Sequence, residues 1–114
     1  MRYVIPEIPP SGNKFAGRAN CWEYRREKQR WKLLVRAAVG RKCPPAPLSA
    51  AKVTLIYHFS DNHRRDPDNY SGKMILDGLT AAGVIADDSF FCIDLQLRAV
   101  YDKGGYTEII VEEV

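Results

Sequence analysis

Lys52-Val53-Thr54-Leu55-Ile56-Tyr57-His58-Phe59-Ser60 decides the fold. Val53, Leu55, Tyr57 and Phe59 alternate with Lys52, Thr54, Ile56, His58 and Ser60, the two-residue period of a strand with one face buried. A polar run, 61 to 68, follows it directly. Helical spacing then begins: Met74, Ile75, Leu79 and Ala82 share one face of a helix expected over 69 to 82, with Asp68 as its cap and Gly83 as its stop. The period of two returns from Phe91 to Tyr101, where Phe91, Ile93, Leu95, Leu97, Ala99 and Tyr101 fall on one side. Asp102-Lys103-Gly104-Gly105 reads as a hairpin turn into a last strand from Tyr106 to about Glu112.

On the N-terminal side, residues 2 to 8 are short, apolar and β-branched. Pro6, Pro9 and Pro10 mark them as an edge strand running into a turn at Ser11-Gly12-Asn13. A helix is expected from about Asn20 to Val39, with Tyr24, Trp31, Leu34, Val35 and Ala38 facing the core. Trp22 is also expected in the core, because tryptophan and tyrosine at helical spacing usually pack there. Gly40 ends that helix, and Cys43-Pro44-Pro45-Ala46-Pro47 is a stiff connector. The order is β-α-β-α-β-β, an α+β fold in which helices pack on a mixed sheet. With 114 residues there is room for one domain with one core, spanning 1 to 114.

The net charge of +3 hides an uneven distribution. From Arg18 to Lys42 nine Lys or Arg face only Glu23 and Glu27, whereas between Asp61 and Asp94 seven aspartates face Arg64, Arg65 and Lys73. A basic arm beside an acidic centre suits a polyanion held by one part and cut at another; a solvated helix face gives the same pattern. Three widely spaced cysteines, Cys21, Cys43 and Cys92, argue for reduced thiols. No signal-peptide pattern and no membrane-length apolar run is present, so the expected location is cytoplasmic, away from membranes. Zinc is disfavoured, since His58, His63 and Cys92 have no ligand spacing.

The acidic centre points to a hard cation. Mg²⁺ prefers oxygen ligands and takes one or two protein carboxylates, leaving room for water and phosphate. Asp66, Asp68 and Asp88 are the candidate ligands, acting directly or through bound water, with Asp87 competing with Asp88. The ordinary alternative makes Asp66 and Asp68 turn and capping residues. Lys73 can stabilise a phosphoryl transition state, or merely pair with Asp77 along the helix. Arg65 and Arg64 can hold neighbouring phosphates, and Arg25, Arg26, Arg30, Lys32 and Arg36 can contact more of the backbone. Asn69 supports the ligands or starts the helix.

These residues resemble the RusA family of Holliday junction resolvases, small metal-dependent endonucleases common in bacteria and their phages. Ile5-Pro6-Glu7-Ile8-Pro9-Pro10-Ser11-Gly12-Asn13 is similar to the family's Pro-Pro-Ser-x-Asn opening. Arg65-Asp66-Pro67-Asp68-Asn69 resembles its basic-Asp-x-Asp-Asn motif, and Lys73-Met74-Ile75-Leu76-Asp77-Gly78-Leu79 its Lys-x-x-x-Asp-x-Leu. Ala82-Gly83-Val84-Ile85-Ala86-Asp87-Asp88 resembles the closing Ala-Gly-x-x-x-Asp-Asp. The resemblance covers nearly the whole chain. It implies Mg²⁺-dependent paired nicking of four-way DNA junctions by a homodimer, in recombination and repair, with Mn²⁺ as a substitute metal and no organic cofactor. It also brings Asn13 into the DNA-binding set. One departure stands out: Lys73 lies five residues after Asp68, where the family has four, with Ser71-Gly72 intervening. The alternatives are a non-catalytic junction-binding protein that retains the fold, and a nuclease for flaps or simple branches.

The spacing also sets a geometric condition. As continuous helix, 69 to 82 spans about 21 Å, while 83 to 87 can retrace only about 17 Å. For Asp68 and Asp88 to share one chain's site, 83 to 87 must run back along the helix or the helix must start late, near Gly72. The other route supplies Asp87 or Asp88 across a dimer. The within-chain route is expected.

Overall fold

The structure is a computed structural model that describes residues 1–15 and 21–114. The expected helix start at Asn20, and Arg18 of the basic run, lie outside the described residues. Strand β1 (Arg2–Ile5) leads through a 3₁₀ turn (Gly12–Phe15) to helix α1 (Cys21–Val39). Strand β2 (Ala51–Phe59), a second 3₁₀ turn (Pro67–Tyr70), helix α2 (Lys73–Ala81) and strands β3 (Ile93–Tyr101) and β4 (Tyr106–Glu113) follow. The β-α-β-α-β-β order and the mixed sheet are as expected.

The alternation in β2 becomes its two faces. Val53 and Leu55 are fully buried, with Tyr57 and Phe59 nearly so, and they meet Trp31, Val35, Ile75 and Leu79 of the helices in one core. In α1, Tyr24, Leu34 and Ala38 pack at the margin of that core, as their spacing predicts. Trp22 does not: it is 69% exposed, one position into the first turn of α1 and off the face that carries Trp31 and Val35.

The sheet order is β1-β4-β2-β3, so the expected hairpin between β3 and β4 does not form. β3 runs parallel to β2, with Leu55 beside Leu97, and β4 runs antiparallel to β2 on its other side, with Leu55 beside Ile109. The connection from 102 to 105 crosses the end of β2, where the Asp102 N–H donates to the Phe59 carbonyl (3.1 Å) and the Gly105 N–H to that of His58 (2.5 Å). Only glycine fits at 104, because a Cβ there would sit 2.4 Å from that of His58. β4 comes to lie inside the sheet between β1 and β2, with Thr107, Ile109 and Val111 fully buried.

The helix expected over 69 to 82 is divided. Gly72 adopts φ 81°, and a Cβ on it would lie 2.2 Å from Leu55 Cδ1. The chain therefore makes a short 3₁₀ turn, reverses hand at Gly72 against β2, and begins α2 at Lys73. Asp68 does not cap α2, whose first flanking residue is Gly72 with no side-chain cap. Gly83, at φ 80°, ends the helix as expected. Ser71-Gly72, the departure from the family spacing, is thus where the helix is cut short.

Candidate active site

Asp66 precedes Pro67 and is extended (φ −101°, ψ 136°), the conformation that a following proline imposes. Its carboxylate caps no backbone N–H, so the ordinary capping role does not account for it. Asp66 lines an open depression of about 350 Å³ with Ser11, Asn13, Arg64, Arg65, Asn69 and Tyr70. Gly12 packs against Asn69, where an added Cβ would lie 3.7 Å from its Cα, so the two 3₁₀ turns meet. Asn13, assigned through the resemblance alone, is therefore gathered with Asp66 and Asn69. Asp68 is exposed in the first turn of its 3₁₀ segment.

The two arginines beside Asp66 have different roles. Arg65 lies 4.0 Å over the Phe59 ring, pairs with Asp61 at 2.8 Å, and donates to the carbonyls of Asp61 and His63. Burial lowers the basicity of its guanidinium, but Asp61 and Tyr70 together outweigh it and raise the pKa above the ordinary value. Arg65 thus folds the 61–66 loop onto β2 rather than offering itself to phosphate. Arg64 is the reverse: 90% of its side chain is exposed, and it lies 3.4 Å from Asp66.

The second half of the site comes from the far end of α2. After Gly83, the Val84 N–H donates to Leu79 O (3.0 Å), and a short parallel bridge to Leu48 pins Ile85. Val84 and Ile85 are 0% and 1% exposed, so the chain runs back along the core side of the helix. With α2 only nine residues long, about 14 Å, this return closes. Lys73 Nζ, at the start of α2, lies 3.3 Å from Asp88 Oδ2 and 3.0 Å from Asp77 Oδ1. Lys28 of α1 approaches the other oxygen of Asp77 at 3.5 Å. The hydrogen bond to Asp77, helped by Asp88, raises the Lys73 pKa above its ordinary value despite partial burial. Asp87 is exposed beside this clasp.

Two carboxylate groupings result: Asp66 with Asn13 and Asn69, and Asp88 with Lys73 and Asp77. Among the described residues, no three His, Cys, Asp or Glu side chains stand close enough to hold a metal together. Their chemistry fits a hard cation, since all the donors are carboxylate oxygens. Between Asp77 and Asp88 sits the Lys73 ammonium.

On the basic helix, Arg25, Arg26 and Arg36 are exposed and Lys32 is half-buried. Arg30 is engaged elsewhere: it grips Glu7 through two nitrogens at 2.7 and 2.8 Å and also holds Glu27 at 2.7 Å. Asp77 and Lys28 join the site without having been singled out as members. The spacing of Asp77 four residues after Lys73 is the signal for it, whereas the arrival of Lys28 depends on how α1 crosses α2. No protein-family model matches the chain, and no curated protein matches it.

Proposed function

We propose that the chain is a Mg²⁺-dependent, structure-selective endonuclease of RusA type that nicks four-way DNA junctions as a homodimer. The observation that carries this reading is the return of Asp88 to Lys73. The closing aspartate of the motif series and its helix-start lysine are in ion-pair contact, although 15 residues separate them. Phosphodiester hydrolysis adds water to phosphorus, breaks the bond to one sugar oxygen, and delivers a proton to that oxygen. Asp66, Asp68 and Asp88 would hold a Mg²⁺ that, when bound, would supply an activated water and neutralise charge on the phosphate.

The chain's own groups do the rest. Lys73 remains protonated and donates to a phosphate oxygen as negative charge grows there. Arg64 extends from the Asp66 depression towards a neighbouring phosphate. Arg25, Arg26, Lys32 and Arg36 hold the duplex arms through charge alone, so affinity falls steeply with salt. Asp66→Asn, Asp68→Asn and Asp88→Asn are each expected to abolish nicking and leave junction binding equal or tighter, because a charge that repels phosphate is removed. Wild-type nicking by all three variants would refute the reading.

One observation favours a second reading, a junction-binding protein without catalysis. Lys73 is held by Asp77 and Asp88, as in a purely structural clasp. In that case the three variants bind as the parent does, and no form of the protein nicks.

A further inference from the structure

β3 forms one border of the sheet, and its outer side is unusually bare. The opposite border, β1, is four residues long and runs into Pro6, an ordinary protection against stray pairing. β3 is nine residues long and contains no proline or glycine. Two phenylalanines precede it, Phe90 and Phe91, at 103% and 97% exposure, and it ends in the half-exposed Tyr101. The parallel pairing with β2 determines which backbone groups are free. The Cys92 carbonyl accepts from Ala51 and the Asp102 N–H donates to Phe59, so the even-numbered residues of β3 bond inward. Ile93, Leu95, Leu97 and Ala99 therefore turn their N–H and C=O groups outward.

We propose that this border pairs antiparallel with β3 of a second copy, about a two-fold axis through Gln96, to make one continuous eight-stranded sheet. The inference takes up the homodimer of the functional reading but none of its chemistry. A two-fold axis perpendicular to the sheet keeps the helices of both copies on one side only if residues of the same parity face each other, so the axis must pass through a residue. Charge selects which one. Centred on Gln96, Asp94 of one copy faces Arg98 of the other, twice, and both residues are exposed. The same register sets Leu95 against Leu97, Ile93 against Ala99, and exposed Phe91 against Tyr101. Shifting the centre to Leu97 sets Asp94 against Val100, and shifting it to Leu95 sets Arg98 against Cys92. Each of those shifts loses both ion pairs and buries charge against apolar side chains.

The register has a consequence for the site. Asp88 lines a cleft of about 640 Å³ with Phe90, Phe91 and Leu95, on the half of β3 before the axis. Asp66 lines a smaller cleft with Leu97, Arg98 and Ala99, on the half after it. The two-fold lays each copy's Asp88 cleft beside the other copy's Asp66 cleft.

Sedimentation of the intact protein is expected to show a dimer. Arg98→Asp sets like charges together and should raise the dissociation constant at least tenfold, as should Asp94→Arg. The double exchange, Asp94→Arg with Arg98→Asp, restores the opposition and should recover the dimer. Crosslinking reads the register directly. In a background with the three cysteines changed to serine, Gln96→Cys lies on the axis in a non-hydrogen-bonded pair, about 4.5 Å between Cα atoms, and should oxidise to a disulfide-linked dimer. Asp94→Cys, about 13 Å from its own copy by strand rise, should not. A monomer at all concentrations, a dimer indifferent to the charge reversals, or self-crosslinking at 94 in place of 96 overturns the proposal. A dimer that never nicks would sink the nuclease reading and leave this interface standing, whereas a monomer that nicks would overturn the interface and the homodimer and leave only the hydrolysis.

Discussion

His58 has a carboxylate at each ring nitrogen: Asp102 lies 2.9 Å from Nδ1 and Glu108 2.5 Å from Nε2, with Tyr106 stacked at 4.0 Å. A neutral imidazole has one N–H, so donating to both acids takes the protonated ring. Burial pulls the pKa of His58 down, but Asp102 and Glu108 together outweigh it and raise the value above 6.5. Glu108 is held below the ordinary carboxylate range, by Arg2 first and by His58 after it, against the effect of burial. The cluster ties β1, β2, β4 and the crossing connection together. A raised histidine pKa stabilises the fold fully below the unfolded value of 6.5, and that contribution is lost as pH rises through the higher folded value. Denaturant melts from pH 5.5 to 9 should thus show stability declining on the alkaline side, with a flatter profile in His58→Gln. Equal slopes in the two proteins would remove His58 from this role. At Gly72 the expectation is mechanical. Ala there meets both the positive φ and Leu55, at a cost of about 1–3 kcal/mol in unfolding free energy. A loss under a few tenths of a kcal/mol would mean that the turn is not the constraint it looks to be.

Among the elements, the strands and α1 were legible because their apolar periods are long and unbroken. The divided helix was less so. Met74, Ile75, Leu79 and Ala82 share a face whether the helix begins at 69 or at 73, and the clash that sets its start involves Leu55, on another strand. The late start near Gly72 was recognised as one of the conditions for bringing Asp88 back, and the structure meets it together with the return of 83 to 87. The hairpin expectation failed because Gly104-Gly105 serves equally well in a tight turn and in a crossing, and the choice between them is made by pairings of β4 with β1 and β2 that lie far apart in the sequence. In the site, the approach of Asn13 to Asp66 and of Asp88 to Lys73 followed the motif order. The loss of Arg30 and Arg65 to carboxylates within the chain did not, since a partner such as Glu7, 23 residues from Arg30, is visible only after folding. In the proposed reading, α1 therefore offers DNA a smaller set than its composition suggests. Replacing Arg25 and Arg26 together by Ala should weaken binding to all DNA sequences alike and flatten the logarithmic salt dependence by about one unit per lost phosphate contact. The Arg30→Ala salt slope should stay at the parental value; equal flattening by both changes would contradict the assignment of Arg30 to Glu7 and Glu27.

At the scale of the whole molecule, one mixed sheet carries both helices on one face, and no described helix is long and apolar enough to cross a membrane. The Asp66 and Asp88 groupings lie in series along β3, within reach of one DNA strand in the proposed reading. If Asp68 and Asp88 serve one chain's site, mixing Asp68→Asn chains with Asp88→Asn chains gives no active heterodimer; recovered nicking in the mixture would assign the two carboxylates to opposite chains, as the neighbouring Asp88 and Asp66 clefts of the proposed dimer allow. The central claim is hydrolysis itself. Its most direct test is a strand-labelled four-way junction and a linear duplex of the same sequence, each incubated with the protein with and without Mg²⁺. The account predicts paired nicks in the junction with Mg²⁺ present, binding without cleavage when the metal is withheld, and an intact linear duplex throughout. A junction that is bound tightly and remains whole in Mg²⁺ and in Mn²⁺ would contradict it.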